Sequence, residues 1–208
     1  MNLKQIAQNT YLEFSNYEGS QHIASEFSIF KTLEIIKKNN VKNILEVGLG
    51  IGTIPSAVST CFGNNINYTG TEANPFCLES LKRNLSFKNI KVYSSLNQID
   101  LSQKQELVIV DGKDVELGKV SKLISEHGII MIEGDRKNQQ NKIYSMFPKA
   151  LFVHLISSKK NHPKGVFDNN SWQGGIKVFF INPTLKQKLY WFKEKMNTKR
   201  VYLNRKYL

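Results

Sequence analysis

The chain has 208 residues, of which 40% are hydrophobic and 22% charged, a length and balance that suit one large self-supporting domain and exclude a disordered chain. Its net charge is +12, yet Pro183 to Leu208 holds eight Lys or Arg against Glu194 alone, so +7 lies in this tail and +5 on the other 182 residues. Cys61 and Cys77 are the only cysteines; each sits on an apolar segment without a second ligand at zinc-binding spacing, which excludes a Cys/His zinc site and reads as two buried free thiols.

Taken in chain order, Phe27, Ile29, Phe30, Leu33 and Ile36 recur at helical spacing and predict an amphipathic helix that stops at Lys37 to Asn40. Asn43 to Val47 follows as a short strand. Thr53 to Phe62 reads as a helix that tolerates Pro55 in its first turn, and Ile66 to Thr71 as a second strand. Asn74 is a good N-cap and Pro75 suits the first helical position, so a helix is expected from Pro75 to about Leu85. Ile90 to Tyr93 is the third strand. Leu107 to Val110 and Ile129 to Ile132 are almost wholly apolar, as strands buried on both faces are, with a helix expected between them from Val115 to Glu126. A helix near Gln139 to Phe147 and strands at Leu151 to Ile156 and Ile176 to Ile181 bring the strands to seven, and the alternation predicts an α/β fold with a mostly parallel sheet. The longest apolar runs are too short to span a bilayer. The first twenty residues have no apolar stretch of signal-peptide type, so the cytoplasm is the expected location.

The first strand runs into Glu46-Val47-Gly48-Leu49-Gly50-Ile51-Gly52, an acid followed by three glycines at every second position. Glycine permits a tight strand-to-helix turn and lets a ligand lie directly on the main chain. The dinucleotide pattern G-x-G-x-x-G/A fails in both registers, at Thr53 and at Pro55, which disfavours nicotinamide and flavin. The segment resembles motif I of the class I S-adenosylmethionine-dependent methyltransferases, matched by Glu46, Gly48, Gly50 and Gly52. Twenty residues past Gly52, Glu72 ends the second strand where an α/β nucleotide site carries its ribose ligand. Polar groups also follow the third, fourth and fifth strands, as expected of a crevice beyond the carboxyl ends of a parallel sheet.

The resemblance covers about Val41 to Asn182. It implies a Rossmann-like seven-stranded sheet in the order 3-2-1-4-5-7-6 with the last strand antiparallel and helices on both faces, and S-adenosylmethionine as cofactor. It also implies Ser94 or Ser95 near the adenine and Asp111 near the methionine end. Residues 1–40 are then expected as a helical cap of the same domain, 41–182 as the methyltransferase core and 183–208 as a basic helix or tail. Val110 to Asp114 looks most like the small-molecule O-methyltransferases, which often carry His or Lys three positions after the Asp of an Asp-Gly pair; this chain has Asp114 there.

Transfer to a hydroxyl requires a group to receive its proton. The catalytic candidates are Asp111 and Asp114, with His22 and His162 as further options. Asp111, Glu133 and Asp135 are oxygen ligands of the kind magnesium takes, so a divalent metal is a secondary option. The long stretch from Asn161 to Gly175, with His162, Phe167 and Trp172, and the amino-terminal helix are the expected walls of an acceptor pocket. A small-molecule acceptor is the leading expectation. The basic tail, with Tyr190, Trp191, Phe192, Tyr202 and Tyr207, admits RNA as an alternative partner, set against a helix from Leu185 to Met196 that packs its aromatics on the sheet. No Asn/Asp-Pro-Pro-aromatic run, typical of amino-group base methylation, follows the fourth strand. A non-catalytic binding module on the same fold is the remaining alternative.

Overall fold

The structure, a computed structural model, describes residues 2–85, 90–113, 115–134 and 136–206. Its sheet contains β1 (Asn43–Val47), β2 (Asn67–Thr71), β3 (Ile90–Tyr93), β4 (Gln105–Val110), β5 (Ile124–Glu133), β6 (Leu151–Leu155) and β7 (Ile176–Phe180). The strand order is β3-β2-β1-β4-β5-β7-β6. The pairs β3/β2, β2/β1, β1/β4 and β4/β5 are parallel, and β7 runs antiparallel to both β5 and β6. Order and direction are those that the family resemblance implies.

The period of two along each strand divides the core into two layers. Ile44, Leu107, Ile109, Ile129, Met131, Val178 and Phe180 face one side, under α1 (Leu3–Phe14), α2 (Glu26–Asn39) and α3 (Thr53–Phe62). Leu45, Val47, Val108, Val110, Ile130, Ile132 and Phe179 face the other, against α5 (Val120–Leu123) and α6 (Lys137–Met146). The central strands are covered on both faces, which is why they read as continuous apolar runs rather than alternating ones.

Three elements differ from expectation. The helix α1 lies in the expected helical cap but has no bounds in the sequence reading, although Ala7, Tyr11 and Phe14 are buried at intervals of four and three, and Asn2 Oδ1 caps it by accepting from the amides of Lys4 and Gln5. Burying a side chain such as Phe14 contributes about 1.5 to 3 kcal/mol, enough to hold a twelve-residue helix of mixed propensity. The helix expected from Val115 to Glu126 shrinks to a 3₁₀ turn at Leu117–Lys119 and the single turn of α5. Ile124 instead pairs with Gln105 and starts β5 early, so ladder pairing overrides local helix preference. Finally, α7 (Leu185–Lys206) continues ten residues beyond Met196. Of its aromatics, Tyr190 is buried and Trp191 half-buried, with Trp191 Nε1 donating to Phe152 O (2.7 Å), whereas Phe192 and Tyr202 point outward.

The helix α4 (Pro75–Asn84) begins as expected, with Asn74 Oδ1 accepting from Phe76 N–H at 2.9 Å. Cys61 and Cys77 are free thiols, half-buried rather than fully buried. Among the described residues no helix is long and apolar enough to cross a membrane.

Candidate functional site

At the end of β1 the chain enters a turn in which Gly48, Gly50 and Gly52 all have positive φ. The reason for glycine differs between positions. A Cβ on Gly48 would lie 2.4 Å from Gly112 Cα, so this glycine lets the ends of β1 and β4 meet, a contact sealed by Gly112 N–H donating to Val47 O at 2.6 Å. Around Gly50 there is open space, and its φ of 54° is its only local demand. A Cβ at Gly52 would press on Leu85 Cδ2 at 2.9 Å. The tight turn that the sequence suggested is visible in the positive φ of all three, and packing adds to it at Gly48 and Gly52.

Glu72 reaches back from the end of β2 to this turn. Its Oε2 accepts from Gly50 N–H at 2.8 Å, and its Oε1 accepts from Ala73 and Asn74 N–H at 2.9 and 2.8 Å. The turn is tied to β2 a second time, since Gly48 and Leu49 both donate to Thr71 O at 3.0 Å. The carboxylate therefore both organises the start of α4 and holds the glycine turn.

Two cavities open over the carboxyl ends of the strands and share Gly50 and Asp111. The larger, about 510 Å³, is bounded by His22, Glu72, Asp111, Glu133, Arg136 and Trp172 among others. The smaller, about 220 Å³, includes Glu46, Asn74, Phe76 and Cys77 in its wall.

This sheet order with an antiparallel seventh strand, and a crevice at these strand ends, recurs in solved structures. No family model matches the chain and no curated protein matches it. A tRNA methyltransferase from Aquifex aeolicus superposes with a TM-score of 0.60 at 16% identity, covering 86% of this chain and 76% of that one. A precorrin methyltransferase from Geobacter metallireducens gives 0.58 at 15% identity over 79% and 91% of the two chains. An O-methyltransferase from Bacillus cereus gives 0.55 at 12% identity over 86% and 90%. This is the class I methyltransferase fold.

Within that methyltransferase fold, four of the acids singled out from the sequence gather at the crevice: Glu46, Glu72, Asp111 and Glu133. Glu46 is buried, and its Oε2 accepts from Tyr68 Oη at 2.6 Å. Burial drives its carboxyl well above the usual range, and the charges of Asp111 and Glu72 push the same way. Asp111 is raised to about 6 by burial, against the opposing pull of Arg136. Glu133 is raised to about 7, by burial and then by the charge of Asp111, while Ser28 Oγ donates to its Oε1 at 3.2 Å.

Arg136, in the loop after β5, has no role in the sequence reading. It donates to Asp111 Oδ1 at 3.1 Å and to the Asp111 carbonyl, and through Nε to Glu133 O at 3.1 Å, so one guanidinium ties the loops after β4 and β5. No local sequence pattern marks it, because one of its partners lies on another loop.

Other candidates fall elsewhere. Ser94 is exposed, its amide and hydroxyl both donating to Gln98 Oε1, and neither Ser94 nor Ser95 borders the two cavities. His22 borders both cavities, whereas His162 borders neither and accepts through Nδ1 from Lys164 N–H. Asp114 and Asp135 lie outside the described residues. Among the described residues no group of three His, Cys, Asp or Glu side chains is arranged to hold a metal ion, and Asp111 is paired with Arg136.

Proposed function

We propose that the chain is an S-adenosylmethionine-dependent methyltransferase that transfers a methyl group to an oxygen of a small molecule. The observation that carries this reading is the 2.8 Å bond between Gly50 N–H and Glu72 Oε2, which puts the bare backbone and the candidate ribose acid on one wall of one crevice. Gly50 leaves its side open to a ligand, and Glu72 retains lone pairs for sugar hydroxyls. Four carboxyl groups border the crevice, of which Asp111 is ion-paired with Arg136, and those that ionise favour a ligand carrying positive charge. Ser94 and Ser95 remain the adenine-side candidates from the sequence.

The bound donor supplies an electrophilic methyl group on a sulfonium. Transfer of that methyl to a hydroxyl would leave the donor as its neutral thioether, and the acceptor's proton would pass to a carboxylate of this chain. Asp111 is the sequence-derived candidate for that proton, with Asp114 beside it in the chain. Glu133 joins them, because a carboxylate that titrates near 7 is a better proton acceptor at neutral pH than one held lower by a guanidinium. His22, Asn161, Phe167 and Trp172 border the larger cavity and form the acceptor side, a mix of aromatic surface and hydrogen-bonding groups suited to a hydroxylated ring.

Methyl transfer to RNA is the competing reading, favoured by the exposed cations of α7. Calorimetry with S-adenosylmethionine and S-adenosylhomocysteine separates the enzyme readings from a non-catalytic module: binding of neither hands the fold to the module. Glu72→Ala is expected to weaken donor binding by about 1.5 to 3 kcal/mol, the scale of hydrogen bonds to a charged group. Unchanged affinity removes Glu72 from the site. Label transferred from the donor's methyl group into hydroxylated small molecules, and not into RNA, decides between the acceptors.

A further inference from the structure

One face of α7 packs inward. Tyr190 is buried with its hydroxyl donating to Glu34 Oε2 at 3.2 Å, Trp191 Nε1 bonds Phe152 O, Thr198 Oγ1 donates to His154 O, and Glu194 pairs with Lys31 at 2.9 Å. The opposite face is apolar and has no cover among the described residues. Leu185, Leu189, Phe192, Met196 and Leu203 are 75%, 64%, 59%, 51% and 60% exposed. Successive intervals of four, three, four and seven residues place these five side chains in one narrow stripe along a helix of about 33 Å.

Rows of cations flank that stripe. At 100° per residue, Lys188, Lys195, Lys199 and Lys206 fall on one side of it and Lys186, Lys193 and Arg200 on the other, all exposed. The helix's lone acid, Glu194, is turned inward to Lys31, so no negative side chain of α7 answers these cations.

We propose that α7 is a docking helix for an anionic phospholipid surface. An apolar stripe bordered on both sides by long cationic side chains is the geometry with which a helix lies in the bilayer interface, its stripe in the acyl boundary and its lysines among the phosphates. A second copy of this chain fits less well, because pairing two such stripes brings lysine rows together with no acids between them. RNA fits less well too: phosphates would engage the cations, but of the five side chains in the stripe Phe192 alone offers a ring for a base to stack on. This inference is independent of the methyltransferase reading.

The test is flotation of the whole chain with vesicles of phosphatidylcholine alone and of an equal phosphatidylcholine and phosphatidylglycerol mixture, at low and high salt. Binding is expected on the mixed vesicles, weaker by at least about tenfold on the neutral ones and reduced by salt. The pair Leu189→Gln with Phe192→Gln, and separately Lys193→Glu with Arg200→Glu, should each lower it by about tenfold or more. All four side chains are exposed, so the fold is expected to survive; the single variant Leu185→Gln, at the most exposed position of the stripe, serves as a milder check. The proposal is overturned if wild type ignores the mixed vesicles, or if the apolar pair leaves binding unchanged. It is equally overturned if the chain binds a single-stranded RNA oligonucleotide with an affinity that the charge pair abolishes and the apolar pair spares. A dimer in sedimentation velocity that Leu189→Gln dissociates likewise replaces lipid with a second copy.

Discussion

Asp111 and Arg136 form a 3.1 Å ion pair that joins the loop after β4 to the loop after β5, and the side chains are 16% and 33% exposed. The pair sits where two further acids, Glu72 and Glu133, border the same cavity. Its guanidinium is the local counterweight to a concentration of negative charge, so its removal should be felt in stability as well as in ligand binding.

Arg136→Met is therefore expected to destabilise the fold by about 1 to 2 kcal/mol at pH 8, below the value for breaking a fully buried pair because solvent reaches both partners. At pH 4.5 the cost should shrink, since Asp111 is then largely protonated and has less charge to leave unpaired. Urea unfolding at the two pH values measures both; an equal loss at each would assign the role of Arg136 to its hydrogen bonds to carbonyls.

Glu133→Gln should do the opposite. The folded-state value of Glu133, about 7, lies above the ordinary carboxylate range. Between about pH 4.3 and 7 the unfolded chain has thus released a proton that the folded chain still holds, and stability falls as pH rises through that window. The glutamine keeps an acceptor for Ser28 Oγ and does not ionise, so it should gain about 2 kcal/mol at pH 8 and close to nothing at pH 4. Chemical denaturation at both ends of the window checks the sign.

The same linkage predicts the pH dependence of cofactor binding. A cationic donor entering the crevice favours the ionised forms of Asp111 and Glu133, so S-adenosylmethionine should bind about tenfold more tightly at pH 8 than at pH 5.5, the equivalent of about one pKa unit. S-adenosylhomocysteine lacks the sulfonium charge and should vary by less than about threefold. Matching pH profiles for the two ligands in calorimetry would show that charge on the ligand is not what these acids sense.

The glycines of the turn should separate by experiment. Gly48→Ala drives a methyl group into the Gly112 backbone and is expected to prevent folding or to cost several kcal/mol, about 3 or more. Gly50→Ala meets no atom within 4 Å and bears only the left-handed backbone penalty, about 1 to 2 kcal/mol. It should fold, with a lower melting temperature, and bind the donor more weakly. Circular dichroism melts followed by calorimetry distinguish the two; normal donor affinity in Gly50→Ala would detach that residue from the cofactor.

Much of this was legible in the chain. The apolar runs of β4 and β5, the Asn74-Pro75 start of α4 and the spacing of Glu46, Gly48, Gly50, Gly52 and Glu72 are local patterns. Each follows from the conformational limits of glycine and proline, or from burial on one face or two. The shortened helix before β5 was not legible, because the competitor to helix at Ile124 is Gln105 on another strand. Nor was Arg136, whose partners lie on the neighbouring loop as well as its own.

Sequence alone determined the alternation of strands and helices, hence the sheet and the end of it where the polar groups gather, because backbone preferences and hydrophobic period act over a few residues. Tertiary structure alone decided which acids meet, which glycine of the turn has open space beside it, and which face of α7 is left bare. Those outcomes depend on burial and on charges brought close in space by residues far apart in the chain.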